Sequence, residues 1–127
     1  MQNKLSLKDI NHPLSIDYND KSMRSVLYIH GFKVSNINNR PNQYIIDTPY
    51  GQFFQSYKTL ISYKDNNDQV YLDENYWDYS STTGKYRNIF LNENKRLTQK
   101  KIDHSIYILT NLNREKWISN NLLFNNL

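Results

Sequence analysis

Residues 76–101 read YWDYSSTTGKYRNIFLNENKRLTQKK, passing from aromatic to hydroxyl-rich to basic within twenty-six positions. Whether this stretch extends the β-rich chain before it or interrupts it with helices decides the fold. Ser80 or Ser81 is placed to cap a helix running to about Leu91, because a short hydroxyl accepts from the unpaired N–H groups of a first turn. At 100° per residue Thr82, Thr83, Tyr86, Ile89 and Phe90 share one side, which is predicted to face the core. Lys85 and Arg87 are expected to flank that stripe, stems over apolar surface and charges in water. Asn94 can cap a second helix over residues 95–104. Leu97, Thr98 and Ile102 then lie broadly inward with Lys101 among them, and Arg96, Gln99, Lys100 and Asp103 lie outward.

Upstream the period changes. FKVSNI, QYIIDT, QFFQSY, TLISYK and QVYL are short β-branched and aromatic runs separated by turn-forming NNRPN, TPYG and DNND, so residues 32–72 read as an antiparallel meander. In Thr48-Pro49-Tyr50-Gly51 the Pro at the second place and Gly at the fourth suit a type I turn. Residues 105–109, SIYIL, read as a further strand. Asp20 is placed to cap a short helix with Met23, Val26, Leu27 and His30 on one face and Gly31 ending it. A last helix over NREKWISNNLLFNNL puts Trp117, Ile118 and Leu122 together. The predicted class is α+β: an antiparallel sheet of four or five strands, a helix pair at about 81–104, and short N- and C-terminal helices. The whole, residues 1–127, reads as one domain with 1–19 and 120–127 as mobile ends.

Only 38% of the 127 residues are apolar, so the core must use many of the eleven tyrosines, with rings inside and hydroxyls at its boundary. The chain has no cysteine, which excludes disulfides and thiolate metal sites. MQNKLSLKDI lacks the apolar segment of a secretory signal, and the expectation is a soluble cytosolic protein without membrane contact. Nineteen asparagines follow the bias of AT-rich codons and mostly mark turns.

Charge is polarised. Lys85, Arg87, Lys95, Arg96, Lys100 and Lys101 face one acid, Glu93, within residues 85–101, whereas Asp65, Asp68, Asp73, Glu74 and Asp78 crowd residues 65–78. These basic residues, with Gln99, form the candidate partner- or nucleic-acid-binding set. The plain reading is a solvated helical face. Catalytic readings fare worse. Thr82-Thr83-Gly84-Lys85 resembles the end of a phosphate-binding loop, but Tyr79 and Tyr86 stand where its first Gly and its magnesium-binding hydroxyl are needed. Asp65-Asn66-Asn67-Asp68 lacks the spacing and glycine of a calcium loop and suits a hairpin turn. His12, His30 and His104 are dispersed, and no serine sits in a nucleophile elbow. No catalytic residue, metal or cofactor is expected.

GQFFQSYKTLISY (51–63), YWDYSSTTGKYRNIFL (76–91) and KKIDHSIYILTNLN (100–113) resemble an uncharacterised family of small proteins from phages and mobile elements of low-GC Gram-positive bacteria. The resemblance covers about half the chain, and its most specific part is the W-D-Y-S-x-T-T-x-K-Y-R core at 77–87. Where that family often has Gly before the last tyrosine, this chain has His104-Ser105-Ile106 before Tyr107. The resemblance implies no activity, but it implies a setting in which small non-enzymatic proteins bind and disable host or defence machinery. One expectation is therefore an accessory protein acting on a host or defence complex, such as a CRISPR-type nuclease, replication or transcription assembly. The alternative is a small DNA-binding regulator, with residues 81–91 supporting and 95–104 entering the major groove.

Overall fold

The structure, a computed structural model, describes residues 31–113 together with Ser25, Tyr28 and Ile29. The helix capped by Asp20 and the C-terminal helix with Trp117, Ile118 and Leu122 lie outside the described residues, as do both predicted mobile ends. At the edge of the first, Ser25, Tyr28 and Ile29 are helical, and the Gly31 N–H donates to the Tyr28 carbonyl at 3.0 Å.

The meander forms as its alternating runs predict. Strands β1 (Lys33–Asn36), β2 (Gln43–Thr48), β3 (Gly51–Ser56), β4 (Thr59–Asp65) and β5 (Val70–Asp73) pair with their sequence neighbours, all antiparallel. A 3-10 turn (Ile37–Asn39) follows β1. After β5 the chain leaves the sheet for helices α1 (Ser81–Leu91) and α2 (Lys95–Asp103), then returns as β6 (Ile108–Thr110), parallel to β5. The sheet thus has six strands rather than the expected four or five, because even the four-residue β1 and three-residue β6 find partners at its two edges. The class is α+β, with one parallel pair, an arrangement that needs the long helical crossover joining β5 to β6.

The tight β2–β3 hairpin is closed by the Thr48 hydroxyl, whose Oγ1 accepts from Tyr50 N and Gly51 N, both at 3.1 Å. Gly51 is required by close approach: a Cβ there would stand 2.3 Å from the Lys64 carbonyl oxygen across the ladder. Between Phe54 and Gln55 the register against β4 shifts, leaving Ile61 as an extra residue. This bulge turns Ile61 toward Phe54, Ile37 and Tyr86, so both β4 residues facing Phe54 serve the helical side.

One sheet face is covered by the helices. Ile45, Phe54, Ile61, Val70 and Leu72 meet Tyr86, Phe90, Leu91 and Ile102 there. The opposite face carries Tyr44, Ile46, Phe53, Leu60 and Tyr63, all buried. Tyrosine behaves as the composition requires: Tyr63 is buried, yet its hydroxyl donates to the Tyr50 carbonyl at 2.8 Å.

The β5 exit is held by a buried acid that the sequence reading counted only as one member of the acidic run at 65–78. Asp73 Oδ1 accepts from Leu112 N and Asn113 Nδ2, and Oδ2 accepts from Asn75 N and Tyr76 N, all within 2.9–3.0 Å. Asn113 in turn clamps Leu60, taking its N–H at 2.8 Å and giving to its carbonyl at 2.9 Å. These bonds fix the Tyr76–Tyr79 loop against the sheet and deliver the chain into α1. Asp65, also in the acidic segment, is a turn residue, its Oδ1 accepting from Asn67 N and Gln69 N.

Candidate interaction surface

Both helix starts follow the local chemistry. Ser80 Oγ accepts from Thr83 N at 3.1 Å, and Asn94 Oδ1 accepts from Leu97 N at 2.9 Å. Asn92, in the left-handed region, closes α1. The buried side of α1 is rotated from the expected one. Thr83, Tyr86, Arg87 and Leu91 are buried and Phe90 partly so, whereas Thr82 is exposed and Ile89 is 44% exposed.

Arg87 replaces Ile89 in the interior because it satisfies the incoming loop. Its Nη1 donates to the Trp77 carbonyl at 2.6 Å and lies 3.5 Å from Asp78, Nη2 donates to Asn88 Oδ1 at 2.9 Å, and the guanidinium sits over the Trp77 ring. The expectation that Arg87 keeps its charge in water is corrected: it is only 1% exposed. Burial lowers its pKa, and the Asp78 carboxylate works against that shift.

A nine-residue helix such as α2 is marginal alone and must be held by its contacts. Only Thr98 is fully buried on it, with Ile102 partly buried against Leu72 and Tyr107. A polar lock supplies the rest. Glu93, half-buried in the α1–α2 turn with its side chain turned inward, takes Lys101 Nζ at 2.8 Å and the Tyr107 hydroxyl at 2.7 Å on Oε1, and the Thr98 hydroxyl at 2.5 Å on Oε2. Burial alone pushes the Glu93 carboxyl up, but hydrogen bonds from Lys101, Thr98 and Tyr107 outweigh it and leave the carboxyl below its ordinary value. The Glu93 hydrogen bond raises the Lys101 ammonium in return. Lys101 is thus neutralised inside the lock and leaves the cationic surface.

The rest of the predicted set stays outside, in three states. Lys95 pairs with Asp78 at 2.7 Å while remaining 58% exposed, and Gln99 donates to Asp103 at 2.9 Å on the outer face. Lys85 is exposed near the Tyr86 ring. Arg96 and Lys100, one turn apart on α2, are exposed and enter no ion pair among the described residues. Leu97 was expected inward but is 42% exposed beside them, because the lock orients α2 on Thr98, Lys101 and Ile102. The outer face therefore offers two free cations around an apolar side chain.

A second feature escaped sequence reasoning. Tyr79, Ser80, Ser81, Gly84, Lys85 and Lys95 line an open depression of about 550 Å³ between the start of α1 and the start of α2. Gly84 sits in the helix with an ordinary backbone, and an added Cβ would lie no nearer than 3.6 Å to its closest neighbour, an Arg87 guanidinium nitrogen. Glycine in a helix costs about 1 kcal/mol relative to alanine. Among the described residues, nothing in the packing requires it here.

A family model described as a family of unknown function (DUF8033) matches residues 30–105, more than half of the chain. No curated protein and no solved structure matches it. Among the described residues, no helix is long and apolar enough to cross a membrane.

Proposed function

The chain belongs to that family of unknown function, and we propose that it is a non-enzymatic binding protein whose docking surface is the outer face of α2. The observation that carries this reading is the combination on that face. Arg96 and Lys100 are like charges at i, i+4, an arrangement that costs a few tenths of a kcal/mol in an isolated helix, and they flank an exposed leucine. An acidic partner surface with an apolar notch takes both features. Arg and bulky apolar side chains supply much of the energy of protein contacts, while charge complementarity speeds and orients the encounter. The partner in this proposal is a host or defence complex met by the product of a phage or mobile element. Its anionic groove or acidic subunit would receive α2.

The alternative is duplex DNA, which the exposure and caps of α2 also favour. Salt dependence separates the two. On B-DNA each lost phosphate contact flattens the slope of log affinity against log salt by about 0.9, so Arg96→Gln with Lys100→Gln should flatten it by about 1.8 if α2 binds phosphates. The proposed protein-docking surface predicts instead weak binding of random duplexes at physiological salt, and no slope change in the variant. Titrating labelled random duplex across a salt series gives the answer. Tight, salt-steep duplex binding that the variant loses would replace the protein-docking reading.

A further inference from the structure

We propose that the depression between the starts of α1 and α2 binds a nucleotide, its phosphate against Lys85, Lys95 and the first turn of α1 and its base on Tyr79. Three observations converge there. Charge comes first: Lys85, Lys95 and Arg87 line the depression against one carboxylate, Asp78, which already bridges Lys95 at 2.7 Å and Arg87 at 3.5 Å. The remaining positive charge suits a phosphate, and Lys95, half in water, is free to swing toward it.

The wall itself is unfinished. Arg87 lines the depression and is only 1% exposed, and its buried Nε has no hydrogen-bond partner among the described residues. Ser81 and Thr82 open an eleven-residue helix, so their N–H groups have no intrahelical acceptor. Gly84 supplies the third observation. Among the described residues the fold has room for a methyl group there, 3.6–4.0 Å from the Arg87 guanidinium atoms, so its absence leaves the helix backbone at Gly84 open to a close ligand.

The aromatic side chains select the ligand class. Tyr79 is 61% exposed and set edge-to-face with Tyr76 at 5.4 Å, an orientation that leaves ring surface in solvent at the rim of the cationic depression. Stacking beside phosphate-binding cations is the pattern that holds nucleotides with little base preference. Free nucleotides and single-stranded nucleic acid share this chemistry. The site shares Lys95 with α2 but uses none of Arg96, Leu97 and Lys100, the residues of the proposed docking face.

The test uses the whole chain with thymidine 5′-monophosphate, a short labelled oligothymidylate and inorganic phosphate as probes. The parent should bind the monophosphate or the oligomer in preference to inorganic phosphate. Binding of the monophosphate assigns a free nucleotide, and binding of the oligomer alone assigns a nucleic-acid strand. Lys85→Gln should weaken that binding about tenfold. Gly84→Ala should weaken it several-fold while melting at or above the parent temperature, which separates a covered site from a damaged fold. Tyr79→Ala should remove the preference for nucleotide over phosphate. No binding of either nucleotide probe, equal binding of inorganic phosphate, or unchanged affinity in Gly84→Ala overturns the proposal. Nucleotide binding lost while partner capture by α2 persists, or the reverse, shows which of the two readings has failed.

Discussion

Asp73→Ala should lose about 3 to 4 kcal/mol of folding stability, although no sequence rule marks Asp73 as more than one acid in an acidic run. The carboxylate is fully buried and accepts four hydrogen bonds, from Leu112, Asn113, Asn75 and Tyr76. Truncation leaves the Leu112 N–H without its Asp73 acceptor and removes one of the bonds that hold Asn113, whose amide clamps Leu60. Hydrogen bonds to a charged group contribute about 1.5 to 3 kcal/mol each, and the two donors on the Asn75–Tyr76 side can turn to water, which keeps the total below the full sum. Asp73→Asn retains one acceptor oxygen and should recover about half of the loss. Urea unfolding of the three proteins measures both effects. An alanine variant within about 1 kcal/mol of the parent would contradict the role of Asp73 as the corner of the fold.

Glu93→Gln should cost about 2 to 3 kcal/mol at neutral pH, because the amide nitrogen must face groups that are themselves donors and Lys101 loses its counter-charge. The pH dependence has a definite sign. The folded Glu93 carboxyl titrates below its ordinary value, so between the two values the unfolded chain binds more protons. Its contribution is therefore complete above the ordinary carboxylate range, near pH 4.3, and disappears as pH falls through the folded value. The gap between parent and Glu93→Gln should close in acid. Lys101 behaves oppositely: its folded pKa is raised, so its contribution is complete below about pH 10.4 and is lost as pH rises through the folded value. Burial and the neighbouring Glu93 raise Tyr107 as well, adding to the alkaline loss. Urea midpoints across acid, neutral and alkaline buffers test this, and a constant gap in acid would mean that Glu93 is not ionised in the fold.

Local chemistry made most of the elements legible. The runs QYIIDT, GQFFQS and TLISYKD become β2, β3 and β4 because alternation and turn residues agree there, and the Ser80 and Asn94 caps set the helix starts. The parallel placement of β6 beside β5 is a long-range pairing that no local pattern encodes. On α1 the apolar count favoured Ile89, but Thr83, Tyr86, Arg87, Phe90 and Leu91 follow the i, i+3, i+4, i+7, i+8 rule, and admitting a buried arginine at 87 would have found the true face. For the candidate surface, six basic residues were legible by type and their states were not. Burial took Arg87, the Glu93 lock took Lys101, and Asp78 took hold of Lys95 from outside the helix pair. Each depends on partners brought together only by the fold. Gly84 was noticed only as part of a failed phosphate-loop pattern, since an unneeded glycine shows itself only when the space around it is known.

What remains on α2 after those losses is the basis of the functional proposal: Arg96 and Lys100, exposed and outside any ion pair among the described residues, around Leu97. The deciding measurement is quantitative capture from a nuclease-treated host lysate by tagged parent and by Arg96→Glu with Lys100→Glu, with circular dichroism on both. The proposal predicts unchanged helical and sheet signals, because both side chains lie in water, and capture of the natural partner weakened at least about tenfold, or about 1.4 kcal/mol. Equal capture by a folded double variant would contradict it and leave the outer face of α2 as solvated surface.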